Sequence, residues 1–243
     1  MNIKLTIEYD GTNYHGWQIQ PNGPTVQEIL EQALGKFLGI KVRVNGSGRT
    51  DAGVHALGQV ANFIAPEPVD LRRLNKGLNA LTPHDIMVRQ VESVPDSFDA
   101  RRDAKSRLYR YRIWNHPVPS AFHQRFSWHV HDRLDLASMQ EAIRFLEGEH
   151  DFGSFQAAGC DALHPVRRIY FNSLDLEGDF LVYTVEATAF LRHMVRNIVG
   201  TLVEVGKGER SAVDFAGLLE AKDRTQAGPT APAHGLFLVE VKY

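Results

Sequence analysis

Polar and apolar residues alternate over Lys4-Leu5-Thr6-Ile7-Glu8-Tyr9, the period of a half-buried strand, and Asp10-Gly11 closes the run with a turn. Thr25 stands three residues before Glu28, the spacing of a capping box, ahead of an apolar helical face made by Ile29, Leu30, Ala33, Leu34 and Phe37. Val42 and Val44 predict the next strand, and Gln59 to Ile64 a strand on the far side of a glycine-rich stretch. Asp70 caps a predicted helix through Leu71, Leu74, Leu78 and Leu81, which Pro83 stops.

The pattern restarts near Ala104. Leu108 to Ile113 reads as a strand, and Asp135 as the cap of a helix through Leu136, Met139, Ile143 and Leu146, with Gly148 after it. Arg168 to Leu176 and Phe180 to Ala187 read as paired strands turned at Glu177-Gly178-Asp179. Phe190 to Val205 predicts a long amphipathic helix closed by Gly206, Ser211 and Asp214 open another through Phe215, Leu218 and Leu219, and Gly235 to Tyr243 closes the chain as a strand. The expected class is α+β, in two related lobes over residues 1–103 and 104–243, each of strands with about two helices on a sheet.

Composition narrows the function. The 243 residues carry a net charge of −2, so a polyanion would have to be met by local clusters of Lys and Arg, not by the overall charge. The single cysteine, Cys160, excludes an intrachain disulfide and a thiolate metal cluster. No signal-peptide core precedes Glu8 and no apolar run is long enough to span a bilayer, so a cytoplasmic protein off the membrane is expected.

The candidate chemistry centres on Asn45-Gly46-Ser47-Gly48-Arg49-Thr50-Asp51-Ala52-Gly53-Val54-His55-Ala56. A phosphate-cradling loop would end Gly-Lys-Ser/Thr, whereas this one has Gly48-Arg49-Thr50, and a dinucleotide fingerprint would need glycine where Asp51 stands. The loop joins two strands, with Asp51 projecting towards an edge of the sheet. Asp51 suits a nucleophile, a general base, a metal ligand or a plain turn cap. A buried carboxylate needs a cation to stay charged. Arg196, embedded in the apolar pattern of the 190–205 helix, is the candidate, unless it merely extends its head to solvent. On the strand Ser106-Arg107-Leu108-Tyr109-Arg110-Tyr111-Arg112, Tyr109 and Tyr111 share one face and Arg110 and Arg112 the other. With Arg101, Arg102 and Lys105 upstream, this is a basic run with aromatic rings, suited to unstacked bases and phosphates, or else a strand with Tyr inward and Arg in solvent. The 11 histidines show no His-x-x-x-His spacing; His129 and His131 would share a strand face but lack a third ligand, so no metal is expected. His55 reads as a packed or hydrogen-bonded loop residue and Cys160 as an ordinary free thiol.

Gly48 to His55, together with Tyr9-Asp10-Gly11-Thr12-x-Tyr14-x-Gly16-Trp17-Gln18, the Tyr109 strand, the Arg192 to Gly200 helix, Ala221-Lys222-Asp223-Arg224 and Gly235-Leu236, closely resembles the tRNA pseudouridine synthase A family, in order and over nearly the full chain. The resemblance implies the pseudouridine synthase fold, with mainly antiparallel sheet, helices on one face and an active cleft between the lobes. It implies an isomerase that converts uridine to pseudouridine at positions 38, 39 and 40 in the anticodon stem-loop of tRNA. It also implies a homodimer with tRNA across both subunits, no cofactor and no metal. Carried over by position, Asp51 is the nucleophile and Arg196 its counter-cation. Tyr109 stacks on the target uracil and shares in moving the proton from its C5, Arg49 helps extrude that base and fills its place, and Leu236 packs beside the base; Arg110 is read as an RNA contact from its place on the basic face of the strand, not from the resemblance. Attack on ribose C1′, attack on uracil C6 and removal of a ribose proton all remain open to Asp51.

Two other readings fit parts of the pattern. A non-catalytic RNA-binding module accounts for the basic run and the tyrosines but leaves the Asp51 loop without a purpose. A nucleoside hydrolase with Asp51 as general base makes the basic run incidental.

Overall fold

The computed structural model describes residues 1–160 and 162–243. By its internal contacts the chain divides into two compact units, Met1–Lys105 with Phe237–Tyr243, and Ser106–Leu236. The sequence pattern ran the second lobe to residue 243; the contacts place the last strand with the first unit.

In the first unit, β1 (Asn2–Tyr9) is followed by α1 (Val26–Leu38), the short β2 (Asn45–Gly46), β3 (His55–Ile64), α2 (Leu71–Leu81) and β4 (Ile86–Val94). β1 lies between β3 and β4 and pairs antiparallel with both. Its alternation is realised as read: Ile3, Leu5 and Ile7 are fully buried. The Thr25 hydroxyl accepts from the Glu28 N–H at the start of α1, and the Asp70 carboxylate accepts from the N–H groups of Arg72 and Arg73 at the start of α2. Phe37 of α1 lies over Gly77 of α2, where a β-carbon would come within 2.3 Å of its ring. β4 had no counterpart in the sequence pattern, whose alternation is diluted by Arg89, Gln90 and Glu92.

The expected strand at Val42 and Val44 forms differently. Both side chains are buried, but only Asn45–Gly46 pairs as strand. The backbone groups of Val44 are taken by α1, whose Glu31 accepts from its N–H at 3.0 Å and whose Gln27 amide donates to its carbonyl at 3.0 Å. Side chains of a helix thus replace a neighbouring strand.

In the second unit, β5 (Ser106–Asn115) is followed by β6 (Trp128–Val130), α3 (Leu136–Ile143), β7 (Gly148–Asp151), β8 (Val166–Glu177), β9 (Phe180–Ala187), α4 (Met194–Gly206) and α5 (Ala212–Ala221). β5, β9, β8 and β7 pair antiparallel in that order, and β6 runs parallel to the end of β5. Gly178 makes the β8–β9 turn with φ of 62°. α5 starts with a reciprocal capping box between Ser211 and Asp214. α3, α4 and α5 pack on one another, and Ile198, Leu202 and Phe215 are fully buried among them; each such side chain contributes roughly 1.5–3 kcal/mol.

α4 begins at Met194, not at Phe190. His193 has φ of 61°, a left-handed conformation that cannot continue a helix backwards, and Met194 N–H turns onto the Leu191 carbonyl. β10 (Leu236–Lys242) closes the chain; its Phe237 and Leu238 pair parallel with His55 and Ala56 of β3.

Candidate active site

The Asp51 loop is built by the chain's opening segment. The buried Tyr9 hydroxyl lies 2.7 Å from Thr50 Oγ1. Trp17 N–H donates to the Thr50 carbonyl at 3.1 Å, and Gly53 N–H to the Tyr14 carbonyl at 3.2 Å. Gly11 N–H donates to His55 Nδ1 at 3.0 Å, and the buried His55 ring stacks on Phe237 at 4.7 Å. Two glycines make this approach possible. A β-carbon on Gly16, whose φ is 86°, would lie 2.4 Å from the Thr50 carbonyl oxygen, and one on Gly11 would lie 2.0 Å from that of Val54. On the strand side, Ser47 Oγ donates to Gln59 Oε1 at 2.7 Å, and the Gln59 amide donates to the Gly48 carbonyl at 3.1 Å. Val54 N–H closes a turn on the Asp51 carbonyl. The result is a half-buried Asp51 on a backbone pinned on both sides. Burial pushes the Tyr9 phenol above its usual range, so it stays an O–H at any working pH. Arg49 lies exposed on the same loop.

β5 separates its two tyrosines by role. Tyr111 is fully buried, and its hydroxyl donates to the Pro232 carbonyl at 2.7 Å. Tyr109 is half-buried, edge-to-face on Phe190 with ring centres 4.9 Å apart. On the opposite face, Arg112 lies over the Phe180 ring at 4.1 Å and Arg110 pairs with Glu177 at 3.3 Å. The aromatic and basic faces thus form as read, and of the two arginines Arg110 is the more exposed.

Arg196 is half-buried on α4 and is held by a strap formed by residues 228–231. Its Nε donates to the Ala231 carbonyl at 2.8 Å, and Ala231 N–H donates back to the Arg196 carbonyl at 3.1 Å. The strap lies so close that a β-carbon on Gly200 would sit 1.7 Å from the Pro229 carbonyl oxygen. Asn197, fully buried, donates to the Phe155 carbonyl at 2.8 Å and accepts from Thr230 at 2.6 Å and Arg224 at 3.2 Å. Thr201 Oγ1 accepts from Gly228 N–H at 3.0 Å. Positive charge from Arg196 reaches Tyr111 and His234: burial raises the Tyr111 phenol while Arg196 pulls it down, and burial together with Arg196 lowers the His234 imidazole below its usual value. The sequence pattern missed Asn197, Arg224 and Thr230 as supports. The signal available was Asn197, a second polar residue beside Arg196 inside the apolar pattern of Met194–Gly200. Leu236 is buried at the start of β10.

His129 and His131 do not share a strand. β6 ends at Val130, and their ring nitrogens sit on the carbonyls of His116 and Pro117 at 2.8 and 2.9 Å. Among the described residues no group of three or more His, Cys, Asp or Glu is placed to hold a metal ion. Cys160 departs from an ordinary thiol: burial raises it, but N–H groups of Arg192 and Ala162 and the charge of Arg167 outweigh burial and lower it. Among the described residues no helix is long and apolar enough to cross a membrane.

Residues 5–103 and 142–243 match the family model described as tRNA pseudouridine synthase. The chain belongs to the tRNA pseudouridine synthase family. Over nearly its whole length it is similar to proteins named tRNA pseudouridine synthase A. It is 49% identical to that of Myxococcus xanthus, covering 99% of this chain and 91% of the relative. It is 48% identical to that of Geotalea uraniireducens (strain Rf4), covering 99% of each, and 49% identical to that of Geobacter sp. (strain M21), covering 100% and 98%.

Proposed function

We propose that this chain isomerises uridine to pseudouridine at positions 38, 39 and 40 of the anticodon stem-loop of tRNA, with Asp51 as nucleophile. Membership of the tRNA pseudouridine synthase family supports the reaction and its substrate. The observation that carries the assignment of Asp51 is its loop, pinned from Tyr9, Tyr14, Trp17 and Gln59. A turn that only connected two strands would not need that many supports, whereas an attacking carboxylate gains from being held in place before the substrate arrives.

In the reaction the bond between uracil N1 and ribose C1′ breaks, the ring turns, and C5 bonds to C1′. The C5 proton leaves and N1 regains a proton, so the nucleotide's composition is unchanged and no electrons are gained or lost. Tyr109 offers an aromatic face for the uracil. Arg196 is assigned as the counter-cation of Asp51. Arg49 fills the stack vacated by the extruded base, whose removal costs a few kcal/mol. Arg110 meets the RNA backbone, and Leu236 packs beside the base. The enzyme works as a homodimer in the cytoplasm.

Tritium release from C5-labelled uridine in unmodified tRNA tests the assignment. Wild type is expected to release tritium and Asp51→Asn to bind tRNA without release. Turnover by Asp51→Asn would remove Asp51 from the nucleophile's role.

A further inference from the structure

Between β5 and β6 lies a loop, residues 116–126, that is fixed in place yet holds a large aromatic ring out in solvent. Phe122 is 88% exposed. Its neighbour His123 packs inward on Trp114 and Phe180, with ring centres 5.0 and 4.9 Å apart. Trp114 Nε1 donates to the Val118 carbonyl at 3.0 Å, and Ser127 Oγ to the His123 carbonyl at 2.8 Å. Phe126 N–H turns onto the His123 carbonyl at 2.9 Å. Val118 of the same loop is also exposed, and Phe122 is the larger of the two. An exposed ring on a hydrogen-bonded loop is available to a partner that covers it.

The surrounding charge says what that is. Residues 110–133 contain four Arg and four His against one acid, Asp132, in a chain of net charge −2. Asp132 is itself paired with Lys207 at 2.9 Å, and Arg110 with Glu177 at 3.3 Å. Arg125, three residues from Phe122, is exposed. An apolar ring beside cations fits a nucleobase stacked on the ring with its phosphate on the guanidinium.

We propose that the 116–126 loop is a second RNA contact, in which Phe122 stacks on an unpaired base of the tRNA and Arg125 meets the adjoining phosphate. This stack is distinct from the one assigned to Tyr109. The loop is anchored through Trp114, which stands on the face of β5 opposite to Tyr109. The inference rests on tRNA being the substrate.

The test is tRNA binding and steady-state kinetics of Phe122→Ala, Phe122→Trp and Arg125→Ala, with wild-type tritium release as control. Phe122→Ala is expected to raise Kd about tenfold, equal to about 1.4 kcal/mol of lost stacking, with the loss in kcat/KM carried by KM. Its salt dependence should match wild type, because no phosphate contact is removed. Phe122→Trp should restore affinity, which a merely structural role would not do. Arg125→Ala should flatten the salt slope by about one unit. Wild-type affinity in Phe122→Ala would overturn the proposal. So would a change of oligomeric state with tRNA affinity per site unchanged, which would assign the loop to self-association. A wild-type protein that neither binds tRNA nor releases tritium would instead refute the assignment of the substrate.

Discussion

The hydroxyl of Tyr9, the last residue of β1, lies 2.7 Å from that of Thr50, the residue before Asp51, with both side chains buried. Through this bond the end of the first strand sets the backbone that carries the candidate nucleophile. Tyr9→Phe should cost about 1–3 kcal/mol by leaving the Thr50 hydroxyl unpaired. Turnover should fall between about tenfold and a hundredfold, because a small displacement of Asp51 is enough to spoil its alignment. Thr50→Val should cost less, since Tyr9 retains a hydrogen bond to Gln59. Urea unfolding of both variants and the double variant measures the coupling, which should be non-zero if the two hydroxyls act as a pair.

Gly16→Ala should destabilise by more than about 1–2 kcal/mol, since it adds the strain of a left-handed alanine to a clash with the Thr50 carbonyl. Gly217→Ala is the matching control. That position is exposed on α5 with open space around it, so alanine should stabilise by about 0.5–1 kcal/mol. Thermal or urea midpoints of the two variants should move in opposite directions.

Arg224→Ala should lower kcat as well as stability. The guanidinium holds Asn197, Thr230 and the Ala227 carbonyl, and so fixes the strap that grips Arg196 through Ala231. The stability loss should be about 1.5–3 kcal/mol for charged hydrogen bonds. Arg224→Lys should recover little, because a single ammonium cannot reproduce the fork. Single-turnover rates at saturating tRNA separate this effect from weakened binding.

His234 should make stability depend on pH. Its folded-state imidazole is held below the usual value of about 6.5, first by burial and then by Arg196, against a hydrogen bond with Ser127 that raises it. The unfolded chain therefore binds the proton more readily. The contribution of this group is present above about pH 6.5 and is lost as pH falls towards the folded-state value. His234→Gln should reduce the rise in unfolding midpoint between about pH 5.5 and 7.5; an unchanged slope would assign that rise to other groups.

Tyr111→Phe and Tyr109→Phe should differ in kind. The first removes the donor to the Pro232 carbonyl and should cost about 1 kcal/mol of stability. The second keeps the aromatic face for stacking, so it should leave tRNA affinity near wild type while lowering the rate if the hydroxyl takes part in moving the C5 proton. Equilibrium binding set beside single-turnover rates separates the two.

The local signals decided much of this protein before any fold was known. Alternation wrote β1, and the side chains of Thr25, Asp70, Asp135 and Ser211 marked helix starts, because caps and strand faces depend on residues a few positions apart. The Gly48–His55 string and its companions likewise placed Asp51, Tyr109 and Arg196 in a family. What depended on distant parts of the chain was not legible. Val42 and Val44 have a strand's residues, but the backbone of Val44 bonds to α1; His193 starts a helix that the periodicity runs back to Phe190; Tyr109 and Tyr111 look equivalent until packing buries one; and the closing strand joins the first unit by pairing with β3. In each case the sequence supplies a side chain or a backbone group, and only the folded chain supplies its partner. Hydrogen bonds and burial are made across tens of residues, so the tertiary structure alone could show that Tyr9 and Thr50 hold the loop and that Asn197 and Arg224 hold the strap.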